Sequence, residues 1–266
     1  EWHNPQVAKM LEHYRWARLA ARRKGVRIVN ATVGGQLEVF ERVAFDSLFP
    51  RPVDHLRLSA PAAPPAPPLL SIAIPAYDRP GPLLQALECF VAQIQGRFES
   101  EVEIVVSDDC TPEDRLRPVR AFAAKHPFIC WRRYDANMGL ERNLLACADV
   151  CTGEYLWLFG DDDFLETDDA LAQVVTVLRE GRHDMLVLNR TRRSTDLKTL
   201  ISPNWMGLDS ALRKSYSGLR AFCLEFGFIS VLGFISVNVL RRRLFQRVDA
   251  SRYMGTMYPQ LGAMLE

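Results

Sequence analysis

The chain has 266 residues, 48% of them hydrophobic and 24% charged, with 33 basic against 32 acidic side chains. The net charge of +1 lacks the basic surplus of nucleic-acid binders, so no nucleic-acid partner is expected, and the apolar share excludes disorder for most of the chain. That length suits one large domain or two small ones.

The first predicted element is a helix over Val7–Arg23, followed by a short strand at Val26–Val29 and a turn at Gly34-Gly35. The stretch GVRIVNATVGGQLEVFERV resembles the closing segment of motility-associated-factor glycosyltransferases and their 6-hydroxymethylpterin diphosphokinase-like relatives, over roughly Trp16–Phe49. The resemblance implies that residues 1–57 are the C-terminal remnant of an upstream domain. The chain opens on Glu1 and closes on Ala263-Met264-Leu265-Glu266 in mid-helix, so a piece of a longer protein is expected. Residues 58–69 hold Pro61, Pro64, Pro65, Pro67 and Pro68 among alanines, a composition that favours polyproline II and reads as a linker.

From residue 70 the pattern alternates. Leu70–Pro75 is a strand, Pro82–Gln95 a helix, Val102–Val106 a strand and Glu113–Lys125 a helix. Ile129–Tyr134 (strand), Leu140–Ala148 (helix), Glu154–Phe159 (strand), Asp168–Arg179 (helix) and Met185–Asn189 (strand) continue it. Repeated β-α units predict an α/β domain with a mostly parallel sheet flanked by helices, preceded by a short α/β tail and the proline linker. The longest apolar run, Phe226–Leu240, is 15 residues long and interrupted by polar residues, too short to span a bilayer. With Arg241-Arg242-Arg243 behind it, that run reads as a buried helix with a cationic end, the alternative being peripheral contact with a membrane surface. Six scattered cysteines without a Cys-x-x-Cys predict buried free thiols, hence a cytoplasmic protein, at most at the inner face of the membrane.

Ligands of open α/β sheets gather at the carboxyl ends of the strands. Here those ends carry Tyr77-Asp78, Asp108-Asp109 and Asp161-Asp162-Asp163. Four or five carboxylates around one crevice repel one another, and a hard divalent cation, Mg²⁺ or Mn²⁺, relieves that repulsion. Magnesium sites commonly combine one or two carboxylates with substrate phosphates, so a diphosphate ligand follows. Taken singly, Asp108-Asp109 also suits a helix cap and Asp161–Asp163 a solvated turn.

The series SIAIPAYDRP, VEIVVSDDCTPED and NMGLERNLLACADVCTGEYLWLFGDDDFL resembles the successive signatures of family 2 glycosyltransferases of GT-A fold, from about Leu69 to Asp169. The resemblance implies a Rossmann-like sheet that holds a nucleoside-diphosphate sugar, with Ala76, Tyr77, Asp78, Asp108 and Asp109 on the nucleotide. It places the cation and the diphosphate on Asp161, Asp162 and Asp163, with the metal expected on Asp161 and Asp163 and Asp162 close by. Asn137, Gly139 and Arg142, at the start of the Leu140 helix, read as an anion site for the donor, the alternative being a surface pair of Arg142 with Glu141 or Glu154. The common pattern Asp-x-Asp-Asp has Gly160 in its first position here, a variant similar to transferases of dideoxyhexoses such as abequose in O-antigen synthesis. The expected reaction is hexosyl or deoxyhexosyl transfer to a hydroxyl of a glycan or lipid-linked acceptor in bacterial surface polysaccharide or glycoconjugate synthesis, inverting if displacement is direct. Asp209 and Glu225 are the candidate general bases, Glu225 preferred because it precedes the apolar run from Phe226. A nucleotidyltransferase and a non-catalytic nucleotide-sugar-binding module are the rival readings; the AYDRPG loop lacks the Gly- and Lys/Arg-rich character of the first.

Overall fold

The computed structural model divides the chain into two compact units, Glu1–Pro65 and Ala66–Glu266. The described residues are 4–31, 37–44, 66–194, 198–205, 207, 214–227, 232–256 and 259–265. In the first unit, α1 (Asn4–Arg23) precedes β1 (Val29–Asn30) and β2 (Glu41–Arg42), two short strands paired in parallel. The Asn30 side-chain amide donates to the Leu37 carbonyl at 2.7 Å, closing the connection between them. The predicted strand thus starts later than Val26. Gly34-Gly35 and most of the proline segment lie outside the described residues.

The second unit is built on one six-stranded sheet. In chain order its elements are β3 (Leu70–Ala76), α2 (Pro80–Ile94), β4 (Val102–Asp108), α3 (Glu113–Ala123), β5 (Ile129–Arg133), α4 (Leu140–Asp149), β6 (Tyr155–Leu158) and α5 (Ala170–Arg179). There follow β7 (Met185–Val187), the hairpin strands β8 (Arg192–Arg193) and β9 (Leu200–Ser202), and α6 (Leu219–Phe226). Then come β10 (Asn238–Arg241), α7 (Arg242–Phe245) and α8 (Pro259–Leu265). The sheet order is β5-β4-β3-β6-β10-β7, with the first four strands parallel and β10 antiparallel to both neighbours. The chain moves outward from β3 through β4 to β5, then returns across β3 to lay down β6. That reversal puts a topological switch point between β3 and β6.

Alternation along the strands divides the core. Leu70, Ile72, Ile74, Trp157 and Phe159 point to one face, where α2 contributes Leu83, Leu87 and Phe90 and α5 contributes Leu171 and Val175. Ala73, Val105, Leu156 and Leu158 point to the other, against Leu144, Cys147 and Ala148 of α4. Gln93 ties two helices together: its amide donates to the Thr167 carbonyl at 2.9 Å and its oxygen accepts from the Leu171 N–H at 3.0 Å. Gly153 is required where it sits, because a Cβ there would lie 2.7 Å from the Ser71 backbone nitrogen.

Two expectations are corrected. Phe226–Leu240 is not one helix: α6 ends at Phe226, Gly227 turns the chain at φ +82°, and Asn238–Arg241 is a strand inserted between β6 and β7. A strand buried on both faces is as continuously apolar as a buried helix, which is why periodicity misassigned it. The fully buried Asn238 fixes the entry to that strand, donating at 2.9 Å to the carbonyls of Leu232 and Phe234. Nor are the thiols uniformly buried. Cys147 and Cys151 are, and burial pushes Cys151 up to about 12, but Cys130 is exposed and Cys89, Cys110 and Cys223 are half-buried. Among the described residues no helix is long and apolar enough to cross a membrane.

Candidate functional site

At the switch point a cleft of about 270 Å³ opens, lined by Ala76, Tyr77, Arg79, Asp109, Asn137, Leu140, Asn143 and Asp161 together with Pro75. These residues come from the ends of β3, β4 and β6 and from the first turn of α4. The sequence supplies the geometry locally. Asp78 takes the left-handed conformation at φ +52°, which Asp tolerates better than most residues, and its N–H donates to Thr111 Oγ at 2.9 Å. Pro80 then starts α2 with its ring already set for a first helical position.

The two aspartates after β4 divide their work. Asp108 is fully buried; it accepts from the Thr111 N–H at 3.2 Å and faces the Arg133 guanidinium at 3.5 Å. Burial raises its pKa, and the Thr111 contacts oppose the rise. Asp109 reaches across to the loop before α4, where Oδ1 accepts from the Met138 N–H at 2.6 Å and Oδ2 from the Gly139 N–H at 2.9 Å. Asn137 Oδ1 accepts from the same Gly139 N–H at 2.9 Å, and Gly139 itself sits at φ +86°, open only to glycine without strain. Neither aspartate caps α3. Together they set the loops that form the cleft wall.

The acidic turn after β6 is held from two sides. Arg79 forks across it, with Nη2 on Asp161 and Nη1 on Asp162 Oδ2 at 2.6 Å. Asp163 Oδ2 accepts from Ser236 Oγ at 2.5 Å, and that hydroxyl also accepts from the Gly160 N–H at 2.9 Å. Asp161 is 2% exposed, and its Oδ2 has no hydrogen-bond partner. Burial pushes the Asp161 carboxyl up to about 6, against the pull of Arg79. Burial likewise raises Asp163, with Ser236 opposing. The glycine at 160 is explained sterically: a Cβ there would sit 2.7 Å from Asp163 Oδ2 and 3.2 Å from Asp162 Oδ1.

Ala76, Tyr77, Asp109, Asn137 and Asp161 are therefore brought to one cleft, with Asp78, Asp108, Gly139, Asp162 and Asp163 in the loops that shape it. Arg142 is not brought there. It lines a separate, wider cleft with Leu145, Asp149, Phe245, Asp249 and Met254 on the outer side of α4. Glu225 on α6 is clamped by Lys214 Nζ and Tyr216 Oη, both at 2.6 Å, and the Lys214 contact holds its carboxyl below the ordinary range. Asp209 lies outside the described residues. Three residues of the site were not singled out from sequence. Arg79 stands within the AYDRP motif beside residues that were. The buried Asn143 donates to the Ser107 carbonyl at 2.9 Å and the Ala76 carbonyl at 3.3 Å, stitching β3 to β4 from α4. Its signal was an amide on the core-facing side of an apolar helix. Ser236 had none, because its role depends on the unforeseen strand.

Comparison with known proteins bears on the family and the fold. Abequosyltransferase RfbV of Salmonella typhimurium is 28% identical over 206 residues, covering 74% of this chain and 60% of that protein. Chondroitin synthase of Escherichia coli is 30% identical over 143 residues, 52% of this chain and 20% of that protein. The chain thus spans 60% or less of the length of these two relatives. TarS of S. aureus (residues 1–349) superposes with a TM-score of 0.57 at 17% identity, over 74% of this chain and 55% of that one. Its complex with UDP-GlcNAc gives 0.53 at 18% identity, over 67% and 46%. The structural likeness shows a GT-A fold. Residues 71–247 match the model of glycosyl transferase family 2, and the chain belongs to that family.

Proposed function

We propose that this family 2 glycosyltransferase moves a hexosyl or deoxyhexosyl group from a nucleoside-diphosphate sugar to a hydroxyl of a glycan or lipid-linked acceptor in bacterial surface polysaccharide or glycoconjugate synthesis. The observation that carries the reading is Asp161, a buried carboxylate with one unpartnered oxygen at the switch-point cleft. A buried, half-satisfied charge is costly unless a ligand completes it. The relative named abequosyltransferase supports a deoxyhexosyl donor, and the TarS complex supports a uridine nucleotide as the first to try.

Tyr77, 48% exposed, offers a ring face to the base, while the Asp109-braced loop and the first turn of α4 face the phosphates. Among the described residues no group of three His, Cys, Asp or Glu side chains is arranged to hold a metal. The donor set fits a cation that takes one or two carboxylates and completes its shell from the substrate, so Asp161 and Asp162 would hold Mg²⁺ or Mn²⁺. When bound, such a cation stabilises the charge that builds on the leaving diphosphate. Asp163 is committed to Ser236 and supports the turn. Direct displacement inverts the anomeric carbon and needs a carboxylate base, for which Asp209 and Glu225 are the candidates. The clamp by Lys214 and Tyr216 lowers the basicity of Glu225, which would have to leave it to serve as the base.

A thermal-shift screen of UDP, GDP, CDP and dTDP, each with Mn²⁺ and with chelator, tests the reading. One nucleotide is expected to raise the melting temperature, chiefly with Mn²⁺, and Asp161→Ala to abolish the rise. Equal indifference to all four with and without Mn²⁺ sinks it. Both readings of the proline segment, linker and boundary of an upstream remnant at 1–57, are part of the same proposal. Location at the inner face of a membrane belongs to it as well, and follows only if the acceptor is lipid-linked.

A further inference from the structure

Donor recognition does not account for Arg79. Its backbone is fixed on both sides, by Asp78 bonded to Thr111 before it and by Pro80 opening α2 after it. Its side chain is 51% exposed, yet the head is drawn onto Asp161, whose own side chain is 3% exposed, and onto Asp162. The guanidinium supplies one positive charge to two carboxylates. It leaves Asp161 Oδ2 buried and unpartnered. The same guanidinium lines the cleft beside Asp161, so a ligand entering there meets both.

We propose that Arg79 is the resident counter-ion of the acidic turn, which a divalent cation displaces, and that the released guanidinium then clamps the donor diphosphate. The second half rests on the function proposed above; the first does not. The arginine half of this pair is open to water, as is its Asp162 partner, and water competes there for the guanidinium. A divalent cation brings twice the charge and can use the Asp161 oxygen that Arg79 leaves unsatisfied. An arginine whose backbone stays anchored while its head is freed keeps its fork within the cleft, and a planar fork suits a diphosphate. The pair then serves two states of the site: it holds the turn when the cleft is empty, and hands its charge to the donor when the cleft is filled. A structural ion pair would respond to neither cation nor nucleotide.

The test is Mn²⁺ titration of the full chain without nucleotide, read as loss of the free-Mn²⁺ paramagnetic resonance signal, for wild type and Arg79→Gln. Removal of the competitor is expected to tighten Mn²⁺ binding roughly tenfold, the equivalent of one charge-assisted hydrogen bond. In chelator Arg79→Gln melts lower than wild type, and Mn²⁺ restores the difference. With Mn²⁺ present, the nucleoside diphosphate that stabilises wild type binds the variant more weakly. Unchanged or weaker Mn²⁺ binding, or a melting loss that Mn²⁺ does not restore, overturns the exchange. Arg79→Lys, which keeps the charge and loses the fork, covers the case in which the glutamine variant fails to fold; its Mn²⁺ affinity should lie above wild type. Tighter Mn²⁺ binding with no response to any nucleotide upholds the exchange and sinks the transferase reading. Nucleotide binding with equal Mn²⁺ affinities does the reverse.

Discussion

Two clefts meet α4, one at its first turn and one along its outer side, and they differ in the opposite sense to their size. The outer cleft, about 780 Å³, is lined by Arg142, Asp149 and Asp249 with Leu145, Phe245 and Met254. Asp249 there is exposed to water, and its Oδ1 accepts from the Ser251 N–H at 3.2 Å and Ser251 Oγ at 2.5 Å. The inner cleft, about 270 Å³, holds Asp161, buried and half-satisfied. Volume measures room for solvent, whereas an incomplete buried charge measures what a ligand would relieve. That contrast is why the smaller cleft is the one proposed for chemistry.

The largest effect should come from removing that charge. Asp161→Ala is expected to lower transfer by about 10²–10³-fold, the scale of losing one group that stabilises transition-state charge, with a rise in donor KM that follows the lost Mn²⁺-dependent nucleotide binding. Turnover of a radiolabelled donor measures it. A comparable loss in a variant of the outer cleft, such as Asp149→Ala, would invert the ranking of the two sites.

Next is the pH dependence of stability in chelator. Asp161 titrates near 6 in the fold, above its unfolded value of 3.8, so in this window the native state binds more protons than the unfolded state. Stability is therefore fullest below the unfolded value and falls as pH rises to about 6, by up to about 3 kcal/mol. Asp161→Asn should flatten that stretch of the urea-midpoint curve.

Gly160→Asp restores the first carboxylate of the common family pattern. It is expected to cost about 1–3 kcal/mol and to bring no gain in activity, because its Cβ would press on the Asp163 carboxylate that Ser236 holds. Denaturant melts beside a turnover assay check both halves. A stable and faster variant would show that the turn can repack, and that the glycine was not required by packing.

These contrasts also mark how far the sequence could be read. Every strand end that carries a cleft residue from β3, β4 or β6 was legible, since parallel β-α units place apolar runs and their terminal aspartates in strict order. The division of labour between Asp108 and Asp109 was not, because which loop a carboxylate braces depends on a neighbour 30 residues away, as the Asp109–Gly139 contact shows. Ser236 and Asn238 were invisible for a stronger reason. Asn238 opens β10 and Ser236 lies in the turn just before it, and that strand runs against its neighbours and sits in an apolar run that reads like a buried helix.

Arg142 is the sharpest case, since the motif Asn137-Met138-Gly139-Leu140-Glu141-Arg142 puts it within one turn of the residues that do line the inner cleft. One turn is too coarse a measure. Residues three and four apart share a helix face, and Asn143 is three positions on from Leu140; both line the inner cleft. Arg142 is two positions on from Leu140, on a different face, and that offset turns it to the outer cleft. Arg142→Ala should accordingly shift donor affinity by no more than about 0.5 kcal/mol, the ordinary scale of a surface substitution. Isothermal titration with the nucleotide picked out by the thermal screen measures it. A loss of tenfold or more, about 1.4 kcal/mol, would mean that α4 turns or that the two clefts join when the donor binds, and the distinction between them would hold only for the empty protein.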